Sequence, residues 1–172
     1  MNFSELAESR YSVRKFKPEH LSQKEIDDIL KVAHFAPTGC NNQPQRILIL
    51  NNDEAISKLK GCTKCHFDAP TAMLICYNKD ETWTRPYDGA ICAPVDASIV
   101  TTHMMLKAWE MGIGSTWVMH FNPQAMRETF NIPENIIPHA LLVMGHPADD
   151  AAPSPMHSTV RPMEDVVYYD SF

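Results

Sequence analysis

Arg10-Tyr11-Ser12-Val13-Arg14-Lys15-Phe16-Lys17 packs four basic side chains into eight residues of a chain whose formal net charge is −6. In an extended segment, side chains two apart point the same way, so Arg10, Ser12 and Arg14 would share one face. Two guanidinium forks and a hydroxyl suit a phosphate monoester. Each charge-assisted bond contributes about 1.5–3 kcal/mol. Phe16 lies on the same row and is placed to anchor the segment in the core. A plainer reading is equally economical: a solvated basic strand, with Arg10 and Arg14 paired to Glu5 or Glu8.

Cys62-Thr63-Lys64-Cys65-His66 is a second constellation. A redox dithiol usually opens a helix after a strand, and a zinc site needs a second ligand pair of similar spacing. Neither context is clear, although Cys76, Cys92 and His103 are available, so the pair reads as incidental or weakly metal-binding thiols and no metal site is assigned. The eight histidines form no His-x-x-x-His or His-Glu-x-x-His. Gly-x-Ser-x-Gly, the Walker A loop and Gly-x-Gly-x-x-Gly are missing; Gly112-x-Gly114 lacks the third glycine and follows a helix. Met104 and Met105 read as core packing. No protein nucleophile is evident.

The 172 residues fit a single domain spanning 1–172 with a real core. The negative balance argues against nucleic acid or anionic membrane as partner. No apolar stretch reaches the roughly 18 residues a membrane span needs. The opening Met1-Asn2-Phe3-Ser4-Glu5 lacks the basic start and apolar run of a secretion signal. With that, an odd count of five cysteines predicts reduced thiols in a cytoplasmic protein.

Elements that would position the basic segment can be read on either side of it. Asn2 to Ser9 reads as a helix with Asn2 as cap and Glu5 reaching back. Ser22 and Glu25 form a capping box ahead of Ile26, Ile29, Leu30 and Ala33 at helical spacing, with Pro37 as a stop. Thr38 to Gln45 is a polar loop, Arg46 to Leu50 a buried strand, Asp53 to Leu59 a helix and Ala72 to Tyr77 a strand. Ala90 to Met111, interrupted by Pro94, reads as a helix apolar almost all round, closed by Gly112. Ser115 to Met119 and Ala140 to Met144 are strands; Asn122-Pro123 opens a helix between them, with Phe121 and Met126 as a hydrophobic staple. The apolar tail from Val160 to Tyr169 is expected to dock. Together these predict an α+β fold, a mixed or antiparallel central sheet flanked by helices.

Four segments carry a resemblance. Arg10-x-Ser12-x-Arg14-x-Phe16 resembles the opening motif of the nitroreductase family, FMN-dependent enzymes that use a nicotinamide reductant. Ala36-Pro37-Thr38-Gly39-Cys40-Asn41-Asn42-Gln43-Pro44 is similar to that family's Asn-x-Gln-Pro loop, and Gly112-Ile113-Gly114-Ser115-Thr116-Trp117-Val118 to its Gly-x-Gly turn and strand. Gly145-His146-Pro147 with Arg161-Pro162-Met163-Glu164-Asp165-Val166-Val167 is similar to its C-terminal signature.

The resemblance implies a three-layer sandwich, an intertwined homodimer and FMN at the subunit interface. It assigns Arg10, Tyr11, Ser12 and Arg14 to the FMN phosphate end, with Arg161 as a second clamp. Asn41 would contact the flavin and Gln43 would shape the loop, both presented from the partner subunit, although Asn-Asn-Gln-Pro is turn chemistry in any case. Trp117, Val118, Met119 and His120 would set backbone against the ring, where donors stabilise charge on the reduced flavin. The family often has Gly where this chain has His120, which is either a structural loop residue or a proton source near neutral pH. NADH or NADPH would reduce the flavin in a ping-pong cycle, and a small-molecule acceptor (a nitroaromatic, quinone or activated alkene) would take the electrons. Cys62 to Asp68 and Thr82 to Asp88, with Trp83, Arg85 and Tyr87, are the candidate acceptor-side walls. The alternatives are a flavin-binding protein without turnover and a Cys-x-x-Cys thiol or metal protein.

Overall fold

A computed structural model describes residues 2–172. Its sheet has four strands, β1 (Gln45–Leu50), β2 (Thr71–Asn78), β3 (Gly114–Val118) and β4 (Ile136–Gly145). They lie in the order β1-β2-β4-β3, and every pair is antiparallel. The helices are α1 (Phe3–Ser9), α2 (Gln23–His34), α3 (Asp53–Lys60), α4 (Ala93–Glu110) and α5 (Pro123–Phe130).

The central strands are covered on both faces, which explains why β2 and β4 are near-continuous apolar runs. Alternation sends Met73, Ile75, Leu142 and Met144 toward α2 and α4. It sends Ala72, Leu74, Leu141 and Val143 toward α3 and α5. The result is the three-layer α+β sandwich expected from the sequence.

Local signals hold at most boundaries. Asn2–Glu5 and Ser22–Glu25 both form complete capping boxes. Asn122 caps α5, and Phe121 and Met126 join one apolar cluster. Gly112 takes a φ of +77° just beyond α4, the left-handed turn that ends the helix.

The expected elements change at Pro94 and at the start of β4. Pro94 does not interrupt α4; it stands in the first turn, where a missing N–H costs no hydrogen bond. Within α4, Ala97, Val100, Met104 and Ala108 are buried, while Val95 is 55% exposed on the single chain. β4 starts at Ile136 rather than Ala140, and a register shift opposite Ile75 and Cys76 accommodates Pro138, which has no N–H for the ladder. The apolar tail lies open on its own chain: Val160 is 83% exposed and Tyr169 85%.

Residues 10–17 form an extended arm along the free edge of β3. Val13 N–H donates to Ser115 O at 3.0 Å, and Thr116 Oγ1 donates to Val13 O. Ser12 and Ser115 form a single parallel bridge. The anchor is chiefly Val13, fully buried, rather than Phe16, which is only partly buried. Gly114 makes this approach possible, since a Cβ there would lie 2.6 Å from Val13 Cγ2. Further along the arm, Phe16 pairs with Pro147 and Lys17 N–H donates to His146 O at 2.8 Å, tying the exit of β4 to it.

Candidate functional site

The arm exposes its basic side chains in two rows with different partners. Lys15 meets Asp150 at 2.5 Å and Lys17 meets Asp149 at 2.8 Å, clamping the segment after β4. Arg10 and Arg14 make no ion pair among the described residues, and Glu5 is committed to capping at Asn2. Arg14 Nη1 donates to Ser12 O at 3.2 Å, and its guanidinium lies 5.8 Å from the Phe67 ring centre. Arg10, Tyr11, Ser12 and Arg14 line a cleft of 240 Å³, closed on the other side by Ser154, Met156 and His157. No carboxylate lines it. Tyr11 is held edge-on between Trp109, at 5.2 Å, and His157, at 6.2 Å.

A second basic cleft opens at the other end of β3. Lys60 to Lys64 form one wall of this 690 Å³ space, and Met119 to Asn122 form the other. Trp117 packs into the α2/α4 layer and Val118 into the α3/α5 layer, and the cleft begins one residue past β3, at Met119. Met119 and His120 lie just beyond the last ladder pair, Val118 with Leu141. Thr63, buried within the loop, donates its hydroxyl to His120 O at 2.5 Å, and Asn122 N–H donates to Cys62 O at 2.9 Å. These two bonds fix the strand exit against the Cys62–Lys64 loop. Lys60 pairs with Asp68 at 2.7 Å, while Lys64 has no ion pair among the described residues. From Ser115 to Met119 is four residues, about 13 Å along the strand.

The Asn41 loop is built separately. Cys40, Asn41 and Gln43 have φ of +49°, +56° and +52°, a strained conformation for non-glycine residues. Two tethers hold it: Gln43 N–H donates to Thr38 Oγ1 at 3.0 Å, and Gly39 N–H donates to Asp96 Oδ1 at 2.9 Å. Asp96 is buried in the first turn of α4, and its Oδ2 has no hydrogen-bond partner. Burial, then the adjacent Asp96 carboxylate, pushes the Cys92 thiol above its ordinary value. A Cβ on Gly39 would come within 3.2 Å of Cys92 Sγ, so the loop sits tightly on α4. Asn41 and Gln43 are exposed and line neither basic cleft of their own chain.

The structure therefore joins Arg10, Tyr11, Ser12 and Arg14 in one cleft and Met119 and His120 in another, and leaves Asn41 and Gln43 apart. Arg161 is exposed on the tail and lines neither cleft. Of the acceptor-side candidates, Cys62 to Lys64 line the second cleft; Trp83, Arg85 and Tyr87 do not, and Arg85 pairs with Asp88 at 2.5 Å. Cys62, Cys65 and Cys76 all belong to the α3/α5 cluster and Cys92 borders α4, and all four are free thiols. Burial pushes the Cys76 thiol up to about 12. Sequence reading missed Val13, Thr63, Asp96 and His157. An acidic residue in the first turn of an apolar helix was a usable signal for Asp96; the others become visible only once the arm and loops are placed.

The nitroreductase family model matches residues 7–74 and 64–146. The chain belongs to the nitroreductase family. A nitroreductase family protein from Clostridium difficile 630 is 42% identical, with each chain covered completely and a TM-score of 0.93. An FMN-dependent nitroreductase from Clostridium difficile R20291 shares the fold, with TM-score 0.81, 21% identity and 99% and 100% of the two chains covered. The FMN reductase [NAD(P)H] of Bacillus subtilis is 26% identical over 84% of this chain and 65% of its own. The family match takes in the arm, the Asn41 loop and both walls of the second cleft, and ends before Ser154, His157 and Arg161.

Proposed function

We propose that this nitroreductase family member is an FMN-dependent NAD(P)H oxidoreductase that works as a homodimer. The observation that carries this reading is the pair of cation-lined clefts at opposite ends of β3, one beside Ser115 and one beside Met119. Phosphate, ribityl chain and ring form an elongated molecule that is anionic at one end and gains negative charge at the other when reduced. The residues fit it. Arg10, Ser12 and Arg14 would hold the phosphate, with donors that no carboxylate in the cleft competes for. Backbone N–H groups at Met119 and His120 would face the ring, and Lys64 would stand on its opposite wall as the unpaired cation. When bound, FMN would supply two-electron transfer in a ping-pong cycle, from NADH or NADPH to a nitroaromatic, quinone or activated alkene.

The protein's own part is positional and electrostatic. Thr63 holds the His120 carbonyl and so fixes the main chain that faces the ring. The His120 side chain is exposed at that cleft and is placed to deliver a proton to a reduced acceptor.

What supports the dimer is surface that one chain leaves open. Phe3, Leu6, Val32 and Leu106 line an apolar groove of 400 Å³ among α1, α2 and α4. The tail carries Val160, Met163, Val166 and Tyr169 exposed. A second copy offers both an apolar tail for that groove and an Asn41 loop for the site that this loop does not reach within one chain.

The test is the absorbance spectrum of the purified protein supplied with FMN, followed under argon with each nicotinamide. A flavin spectrum that bleaches with NADH or NADPH and recovers with a quinone, with parallel double-reciprocal lines, is the expected result. Bound flavin that neither nicotinamide bleaches would identify a flavin carrier instead.

A further inference from the structure

We infer that His157, not Arg161, closes the phosphate cleft from the C-terminal side. The inference rests on the FMN reading and assigns one more residue to it. The sequence has a single arginine in the tail, Arg161, and the family signature gives that arginine the role. The structure brings a different residue to the cleft.

The chain path explains why. After β4, Pro147 pairs with Phe16, and Ala148 N–H donates to Lys15 O at 3.0 Å. Lys15 and Lys17 then hold Asp150 and Asp149. The segment is thus fixed to the arm, and it turns back at Ala151, whose N–H donates to Ala148 O at 2.9 Å. Pro155–Ser158 forms a short 3-10 turn, with Ser154 Oγ accepting from Met156 N–H. That turn sets Ser154 and His157 across the cleft from Arg10, Ser12 and Arg14.

The chemistry of this wall is that of an anion site. The imidazole and the Ser154 hydroxyl are both donors to a phosphate oxygen. Tyr11 lies edge-on to the imidazole, with ring centres 6.2 Å apart. The two aspartates of the same segment are neutralised by lysines, so the wall adds no net repulsion to a phosphate dianion. The result is a phosphate cradle with two arginines on the arm side and a histidine on the tail side.

The experiment compares FMN with riboflavin, which lacks the phosphate, by fluorescence titration of the full chain near pH 6.5. The variants are His157→Ala, His157→Arg and Arg161→Gln. His157→Ala is expected to lose about tenfold in FMN affinity with riboflavin affinity unchanged, equivalent to about 1.4 kcal/mol. His157→Arg should restore the preference, and Arg161→Gln should leave both affinities as they were. Unchanged riboflavin binding also shows that the variants are folded. A full FMN preference in His157→Ala, or its loss in Arg161→Gln, overturns the assignment of His157. Wild-type protein that binds FMN no better than riboflavin overturns the phosphate reading itself.

Discussion

The two ends of β3 are built from different materials. At the Ser115 end the cations are long side chains on an edge arm, kept free because neighbouring lysines take the nearby aspartates. At the Met119 end the main chain leaves the strand with the His120 carbonyl held by Thr63, and Lys64 stands on the facing wall. Side chains suit a charge that is always present, such as a phosphate. Fixed backbone donors suit a charge that appears during reaction, because they need no rearrangement when it forms.

The comparison breaks most visibly at the arm. Arg10→Ala/Arg14→Ala removes two charge-assisted bonds, about 3–6 kcal/mol in all. FMN affinity should fall at least a hundredfold in fluorescence titration, while riboflavin affinity changes little. Equal losses for both ligands would show that the arginines support the fold rather than the phosphate.

Next is the seat of the arm. Gly114→Ala sets a methyl against buried Val13, an overpacking cost of about 1–3 kcal/mol. Thermal melting should show lower stability, with FMN affinity falling alongside. An unchanged melting curve would mean that the arm is held elsewhere.

The opposite end should respond in potential rather than in affinity. Lys64→Met removes the cation that the proposed function sets beside the ring, and the two-electron reduction potential of the bound flavin should fall by about 30 mV, close to 1.4 kcal/mol. FMN affinity should change less than in the arginine variant. A fixed potential would remove Lys64 from the second cleft's chemistry.

The smallest effect is acid sensitivity at the arm. The Ser22 hydroxyl, then the Ser22 N–H and nearby His146, holds the Glu25 carboxyl below its ordinary 4.5 against the opposing effect of burial. A carboxyl depressed in the folded state adds stability that is present above pH 4.5 and is lost as pH falls through the lower folded value. Glu25 also meets His146, one residue before the Pro147 that pairs with Phe16. The stability gap between wild type and Ser22→Ala should therefore narrow below pH 4.5, measured by denaturant melts at each pH.

The layers were legible because their signals are local. The capping boxes at Asn2 and Ser22, the Asn122 cap and the Gly112 turn each appear within a few adjacent residues. Alternation set Arg10, Ser12 and Arg14 on one face, as the cleft has them, but left a phosphate grip and a solvated basic strand equally open. What the sequence could not show depends on contacts far apart in the chain. Val13 outranks Phe16 as anchor because Gly114, about a hundred residues away, leaves room for it. His157 reaches the cleft that the signature reserved for Arg161 because Asp149 and Asp150 fix the path of the tail. Asp96 matters because a strained loop needs a buried acceptor, a need invisible until that loop is built.

The central claim is that one flavin spans β3 from the arginine cleft to the Met119 cleft. A crystal structure of the FMN-loaded protein tests it directly. The account predicts phosphate density among Arg10, Ser12, Arg14 and His157, with the ring against the Met119–His120 backbone and Asn41 arriving from a second subunit. Phosphate density beside Lys64, or a flavin bound away from β3, would contradict it.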